Sequence, residues 1–151
     1  MLQRYIPEYL GVEDETPVLS ICMTCRDGRE GLHSVRGGTR LADAVLARIG
    51  DRSRGQMTLR GVRCMSQCKR PCIVSLGAQG RFTYVFGDLD PERPDHIDAL
   101  IDVIRSYRGA DEGYLERSDR PEPLRASILG RFPPLDSASP IVTVLGSASA
   151  A

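Results

Sequence analysis

The chain has 151 residues, of which 41% are hydrophobic and 26% are charged, which fits one folded domain with an appendage and excludes wholesale disorder. Twenty basic residues balance twenty acidic residues, so the net charge is zero and phosphate-driven binding to nucleic acid is not expected. No apolar run reaches the roughly 18 residues that a membrane span needs. Residues 1–11 lack the apolar core of a secretory signal, so we expect a cytoplasmic protein.

The first half of the chain predicts a strand, a helix and a second strand. Residues 17–21 form a short apolar run that predicts a buried strand. A polar, glycine-rich loop follows over residues 23–38. Thr39 then fits a helix N-cap, and apolar residues recur at helical spacing up to Gly50, which suits a helix end. The start of residues 57–62 alternates apolar and polar residues and predicts the second strand.

The second half predicts a hairpin and a helix. Residues 73–76 form an apolar strand, residues 77–80 a glycine-containing turn, and residues 82–86 an aromatic strand. Residues 91–94 then open a helix whose apolar stripe runs to about Tyr107. The aromatic strand is the last of this pattern. Its edge therefore needs cover, from later residues of the chain or from a second subunit.

These elements predict an α/β fold in the order β-α-β-β-β-α. A helix joins the first two strands, so these can lie parallel, and the hairpin adds antiparallel strands. We expect a small four-stranded mixed sheet with flanking helices, an arrangement compatible with a thioredoxin-like domain over residues 17–109. Residues 1–16 would be an N-terminal extension. Residues 110–151 would be a C-terminal extension with one short helix within 121–132 and a Ser/Ala-rich tail, in which residues 141–145 add a strand or stay mobile.

The five cysteines are the most informative residues, and all of them fall in two tight clusters. They are Cys22 and Cys25 in the first cluster, and Cys64, Cys68 and Cys72 in the second. Disulfides are rare in a reducing cytoplasm, and an odd number cannot pair completely. Both clusters follow a predicted strand, and parallel strands end at the same edge of a sheet. The sequence therefore predicts that Cys22 and Cys25 face Cys64 and Cys68 across one four-thiolate site.

Three kinds of chemistry fit such a site. Four thiolates satisfy an iron–sulfur cluster, and they equally satisfy structural zinc. A catalytic dithiol at Cys22 and Cys25 is the third alternative. It is disfavoured because a long loop separates Cys25 from the predicted helix, whose N-terminus would be needed to activate a thiol. A role as ordinary buried apolar side chains is disfavoured by the clustering.

Charged and polar residues near the clusters have two interpretations each. Arg26, Arg63, Lys69 and Arg70 adjoin cysteines and either offset the negative charge of a cluster or are ordinary solvated loop residues. His33 is either a substitute ligand or a solvated loop residue. His96 is expected to lie at the surface or in the first turn of its helix. Asp88 and Asp90 are expected to form turns and to cap the following helix, rather than to act as a catalytic pair.

Several motifs in order resemble a known family. They are Cys22-x2-Cys25-Arg26, Cys64-x3-Cys68-x-Arg70-Pro71-Cys72, the run from Phe82 to Leu89 with Asp90-Pro91, Leu124-Arg125, and Arg131-Phe-Pro-Pro134. Over about residues 17–134 the chain resembles a family of small bacterial predicted metal-binding proteins of unknown function, related to thioredoxin-like [2Fe–2S] ferredoxins. The resemblance implies a thioredoxin-like fold, a metal or iron–sulfur site and a homodimer. Cys72 has no equivalent in the ordinary ferredoxins of this kind, so it is either an additional or alternative ligand, or a resolving thiol beside the ligands.

Together these observations favour a cytosolic [2Fe–2S] protein for one-electron transfer or redox sensing, held by Cys22, Cys25, Cys64 and Cys68. A zinc- or cobalt-binding or metal-delivery module is the first alternative. A thiol–disulfide oxidoreductase using Cys22 and Cys25 is the second. We expect an electron carrier or metal-binding protein rather than an enzyme, acting with a redox partner that the sequence does not identify.

Overall fold

A five-stranded mixed sheet forms the centre of the molecule. The computed structural model describes residues 16–50 and 56–148, so the expectation for residues 1–16 falls almost wholly outside the described part of the chain. The strands are β1 (Val18–Cys22), β2 (Thr58–Val62), β3 (Val74–Gly77), β4 (Thr83–Phe86) and β5 (Ile128–Phe132). Their order is β2-β1-β3-β4-β5, with β1 and β2 parallel and every other neighbouring pair antiparallel.

Among the described residues, two long helices and two short ones accompany the sheet. They are α1 (Glu30–His33), α2 (Gly37–Ile49), α3 (Pro94–Gly109) and α4 (Pro123–Ala126), with single 3₁₀ turns at Asp111–Gly113 and Arg117–Asp119. Helix α2 makes the crossover between the parallel strands β1 and β2. Pro94 starts α3 because the first turn of a helix has no partner for its N–H groups. In the described residues, no helix is both long and apolar enough to cross a lipid bilayer.

The core lies between the sheet and the two long helices, which contact each other. Helix α3 presents a stripe of fully or nearly buried residues, namely Ile97, Leu100, Val103, Ile104 and Tyr107. The predicted aromatic face is confirmed, since Phe82, Tyr84 and Phe86 are all buried. The rings of Tyr84 and Tyr107 meet edge to face at 6.0 Å between centroids. Burial of these large side chains is the main source of stability and fixes which face of the sheet the helices cover.

The mixed α/β arrangement predicted from the sequence is confirmed, including the parallel β1–β2 pair and the antiparallel hairpin of β3 and β4. The predicted strand count of four is wrong. Residues 121–132 form only one turn of helix, α4, and then β5, which pairs with β4. The physical reason is the free edge of β4, whose unpaired N–H and C=O groups are satisfied by β5. The expectation that later residues cover this edge is confirmed, while the division of the chain at residue 109 stays a prediction.

Two local expectations are corrected, and two others are decided. Helix α2 begins at Gly37 and not after Thr39, whose hydroxyl instead donates to the carbonyl oxygen of Met23 at 3.0 Å. The loop over residues 23–38 contains α1, which is too short to produce a periodic pattern. Helix α3 begins at Pro94, within the predicted opening over residues 91–94. Residues 141–145 form no strand and are exposed.

Candidate functional site

The two cysteine clusters meet at the edge of the sheet where β1 and β2 end. Cys22 is the last residue of β1 and stands in register with Val62, the last residue of β2. The pairing continues one residue further, since the Met23 N–H donates to the Val62 carbonyl at 2.7 Å. The hydroxyl of Thr24 then donates to the carbonyl oxygen of Arg63. The loop that carries Cys22 and Cys25 is therefore fastened to the loop that begins with Cys64.

Cys72 reaches the same edge from the opposite side of β1. The Cys22 N–H donates to the carbonyl of Ile73 at 3.0 Å, immediately before β3 begins. The backbone of Cys72 is held by Leu89 through two hydrogen bonds of 3.1 and 3.3 Å. Because β1 lies between β2 and β3, residues from all three chain segments converge on its carboxyl end. The expected meeting of the two clusters at one sheet edge is confirmed at the level of the backbone.

The five thiols differ in exposure. All five are free, and Cys22, Cys25 and Cys72 are buried at 4%, 6% and 0% exposure, whereas Cys64 and Cys68 are exposed. Within residues 16–50 and 56–148, no three Cys, His, Asp or Glu side chains are grouped closely enough to hold a metal ion. The fold thus brings the cysteine loops together without clustering their side chains as ligands, and the predicted ligand set of Cys22, Cys25, Cys64 and Cys68 stays a prediction.

The three buried thiols differ in pKa because their surroundings differ. Burial raises the pKa of Cys22, but the neighbouring Cys25 side chain and the backbone N–H groups of Thr24 and Met65 outweigh it, so that the pKa is lowered overall. Burial and the neighbouring Cys22 raise the pKa of Cys25 to about 12. Burial, followed by the charge of Cys25, raises the pKa of Cys72 to about 12. At neutral pH Cys22 is the most acidic of the three buried thiols.

The N-terminus of α2 lies directly against the first cysteine loop. The Gly38 N–H donates to the carbonyl of Cys25 at 3.0 Å. A Cβ added to Gly38 would clash with the carbonyl oxygen of Cys22 and lie 2.9 Å from its carbonyl carbon. The expectation that a long loop keeps Cys25 away from the helix is therefore wrong, because the loop folds back on itself. The Gly37-Gly38 pair was the sequence signal for this close approach, since only glycine permits it.

A carboxylate and an ion pair hold that returning loop in place. The carboxylate of Glu30 accepts the backbone N–H groups of Asp27, Gly28 and Gly37 at 3.0 to 3.1 Å. Although desolvation opposes the shift, these hydrogen bonds hold the pKa of Glu30 at about 2. The guanidinium of Arg29 donates hydrogen bonds to both carboxylate oxygens of Asp90, at 2.8 and 3.1 Å. This pair holds the pKa of Asp90 at about 2 and ties the loop to the segment before α3.

The other predicted site residues occupy varied positions. Arg26, Arg63 and Lys69 are exposed and form no ion pair with any described residue, so their role beside a cluster stays a prediction. Arg70 donates to the Asp88 carboxylate at 2.6 Å, so its charge is already paired. Sequence reasoning missed Arg36, which donates to the carbonyl of Thr24 at 3.1 Å and supports the first cysteine loop. The only sequence feature that pointed to Arg36 was its position directly before Gly37-Gly38.

The match to a protein family covers this whole arrangement. A family model described as "Protein of unknown function (DUF1636)" matches residues 19–134. The chain belongs to the DUF1636 family. The match confirms the family resemblance seen in the sequence, and it spans both cysteine loops and all of β5. No functionally curated protein matches the chain significantly.

Two solved structures resemble this DUF1636 protein at low identity. One is a thioredoxin-like [2Fe–2S] ferredoxin from Aquifex aeolicus, with 17% identity, 81% of this chain and 97% of that chain covered, and a TM-score of 0.48. The other is the wild-type thioredoxin-like [2Fe–2S] ferredoxin from Aquifex aeolicus, with 10% identity, 76% and 97% coverage, and a TM-score of 0.46.

The donor set at the DUF1636 cysteine edge consists of thiols alone. His33 points to Glu92, with 3.0 Å between the ring Nε2 and the carboxylate, and is therefore not directed at the cysteines. His96 accepts the backbone N–H of Asp90 through Nδ1. Asp90 also accepts the Glu92 N–H, which confirms its expected turn-forming role, although no side chain caps α3. Thiolates without imidazole or free carboxylate suit an iron–sulfur cluster, zinc or another soft metal.

Proposed function

We propose that this DUF1636 protein binds a [2Fe–2S] cluster through Cys22, Cys25, Cys64 and Cys68, and that it acts as a one-electron carrier or redox sensor. The observation that supports the proposal is the convergence of two cysteine loops at the carboxyl end of β1. Four thiolates from two loops are the usual ligand set for such a cluster. The cluster, when bound, would take up and release one electron.

Two loops of the chain would supply the ligands of the cluster. Cys22 and Cys25 lie on a loop that is fixed by β1, α2 and the Glu30 carboxylate, so their positions are set before any ligand binds. Cys64 and Cys68 lie on the exposed loop after β2 and would complete the ligand set. A [2Fe–2S] core with four thiolates is a net anion that becomes more negative on reduction. The exposed cations Arg26, Arg63 and Lys69 would therefore favour the reduced form and raise the reduction potential.

Purification without oxygen tests the proposal directly. We expect brown protein with iron and acid-labile sulfide in equal amounts, visible absorption that dithionite bleaches, and an electron paramagnetic resonance signal after reduction. Colourless protein that contains zinc or cobalt instead would contradict the cluster and support a metal-binding or metal-delivery module at the same thiols.

Single substitutions on the second loop test the shared site. Cys64→Ser and Cys68→Ser should each lose the bound metal, because they remove half of the thiolates supplied by that loop. Gln67→Ala is a matched control, since Gln67 is an exposed residue of the same loop. Full metal content in either cysteine variant would show that the two loops do not share one site.

A thiol–disulfide oxidoreductase is the second candidate, and one observation favours it. The start of α2 lies on the Cys22–Cys25 loop, which places the positive end of the helix beside the dithiol. In this activity the two thiols would be oxidised to a disulfide while a disulfide substrate is reduced to two thiols. The expected result is metal-free protein that reduces insulin disulfides. Cys22→Ser should abolish that reduction, whereas Cys64→Ser should leave it unchanged.

A further inference from the structure

Four arginines from the second 3₁₀ turn to β5 make no ion pair with an acid among the described residues. They are Arg117, Arg120, Arg125 and Arg131. All four donate to backbone carbonyls instead. Arg117 donates to the carbonyl of Arg125 at 3.1 Å, Arg125 to that of Arg120 at 2.9 Å, and Arg131 to that of Leu115 at 3.0 Å. The Arg131 guanidinium also lies over the Tyr114 ring, 4.5 Å from its centroid, so these contacts position the side chains without cancelling their positive charges.

Arg120 is the unusual member of this group because it is buried. Its exposure is 5%, and its Nε donates to the carbonyl of Leu124 at 3.2 Å. Burial, together with the charges of Arg131, Arg117 and Arg125, lowers the pKa of Arg120. Placing a cation in the interior without a counter-ion is costly, and buried charges in proteins are normally paired. The position of Arg120 therefore points to a negative group that is not part of the described chain.

A shallow cavity, widely open to solvent, lies where three of these arginines meet. It has a volume of about 480 Å³ and is lined by Arg117, Arg120 and Arg131, with Ile128 and Leu129 as an apolar wall. The two terminal nitrogens of Arg120 donate no hydrogen bond to the described residues. These two nitrogens are in contact with solvent. Among the described residues, Ser127 Oγ is the one side-chain nitrogen or oxygen that is both fully buried and without a hydrogen-bond partner, and no Arg120 atom is in that state. The open end of the Arg120 guanidinium is thus free to receive a ligand.

One acid also lines this cavity, and its carboxylate is already engaged. Glu116 accepts the Asp119 backbone N–H, and Asp119 in turn accepts the Glu116 N–H at 3.2 Å. This reciprocal capping box holds both carboxylates at the start of the 3₁₀ turn. Three arginines against one engaged carboxylate leave the cavity positive, in a chain whose net charge is zero.

We propose that this cavity is a binding site for a small organic oxyanion, a sugar phosphate or a polycarboxylate, held by Arg117, Arg120 and Arg131. Guanidinium groups bind the oxygens of phosphate and carboxylate groups in pairs, which makes arginine the residue best suited to such ligands. The cavity is open to solvent but has room for a small organic ligand, and its apolar wall favours a ligand with an organic part over a free inorganic ion. The site is separate from the cysteine edge and does not depend on the function proposed there.

Calorimetric titration of the full chain tests the site with two probes, glucose 6-phosphate and citrate. Sodium chloride at matched ionic strength is the reference for non-specific charge screening. We expect saturable heat from at least one probe, and a melting temperature that rises with that probe but not with chloride. Binding of one probe alone identifies the ligand as a phosphate or as a polycarboxylate.

Arginine variants locate the binding. Arg117→Gln and Arg131→Gln should each weaken binding about tenfold or more, because each removes a charged hydrogen bond. Arg105→Gln, an exposed arginine on α3 outside this cavity, should bind as the wild type does. Arg117 is exposed, so its substitution leaves the fold intact even if Arg131 or Arg120 variants do not fold. No saturable heat in the millimolar range, or equal weakening in Arg105→Gln, would overturn the proposal.

Discussion

Substitution of Gly38 by alanine tests whether the contact between α2 and the first cysteine loop is as close as the structure indicates. The new Cβ would meet the carbonyl oxygen of Cys22 and stand 2.9 Å from its carbonyl carbon and 3.2 Å from that of Met23. These neighbours are backbone atoms, so neither can rotate away as a flexible side chain would. Overpacking of this kind costs about 3 kcal/mol, and the better helix propensity of alanine returns about 1 kcal/mol.

The expected net loss is therefore about 2 kcal/mol in the free energy of unfolding, or about 4 to 8 °C in melting temperature for a chain of this size. Urea denaturation measures it. Gly109→Ala is the matched control, because Gly109 ends α3 and a Cβ there has no neighbour within 4 Å. That control should be neutral or stabilising by up to about 1 kcal/mol. If the two variants have equal stability, the helix does not lie against the loop as described.

Three further predictions concern the site and its surroundings. Cys72→Ser should keep most of the bound metal, and a loss as complete as that of Cys64→Ser, measured by metal analysis, would place Cys72 among the ligands. Because the folded pKa of Glu30, about 2, lies below its ordinary value of 4.5, the carboxylate stabilises the fold above pH 4.5 and loses this effect as the pH falls toward 2. Glu30→Gln should therefore be less stable than the wild type at neutral pH and show a flatter dependence of melting temperature on pH. Removing residues 141–151 should leave the melting temperature unchanged because residues 141–148 are exposed. A change in oligomeric state, measured by light scattering, would instead assign the tail to the interface of the homodimer that the family resemblance implies.

Much of the sheet could be predicted because its strands carry clear local signals. The aromatic alternation of β4 and the apolar run of β1 each predict a buried strand on their own. The parallel pairing followed from the helix between them, and the meeting of the cysteine loops followed from the parallel pairing. That chain of reasoning needs no information about side-chain packing.

The features that could not be predicted depend on contacts between distant residues. Strand β5 forms because β4 leaves an edge to be paired, and its own sequence, with Gly130 in the middle, is a weak strand signal. The close approach of Gly38 to Cys22 depends on a loop that folds back, and its anchors Glu30 and Arg29 are ordinary charged residues in the sequence. The exposure that separates Cys64 and Cys68 from the buried thiols is likewise a property of the packed molecule.

The position of β2 at the edge of the sheet divides the cysteine site into two parts of unequal stability. Strand β1 is bonded on both sides and buried, whereas β2 is paired with β1 alone among the described strands and is largely exposed. Hydrogen bonds at such an edge open through local fluctuations that need far less free energy than global unfolding. Local opening at this edge, which has to break the Thr24–Arg63 hydrogen bond, would therefore displace Cys64 and Cys68 before Cys22, Cys25 and Cys72. Under the proposed function, opening of this edge would be the route by which the bound group enters and leaves, without unfolding of the domain.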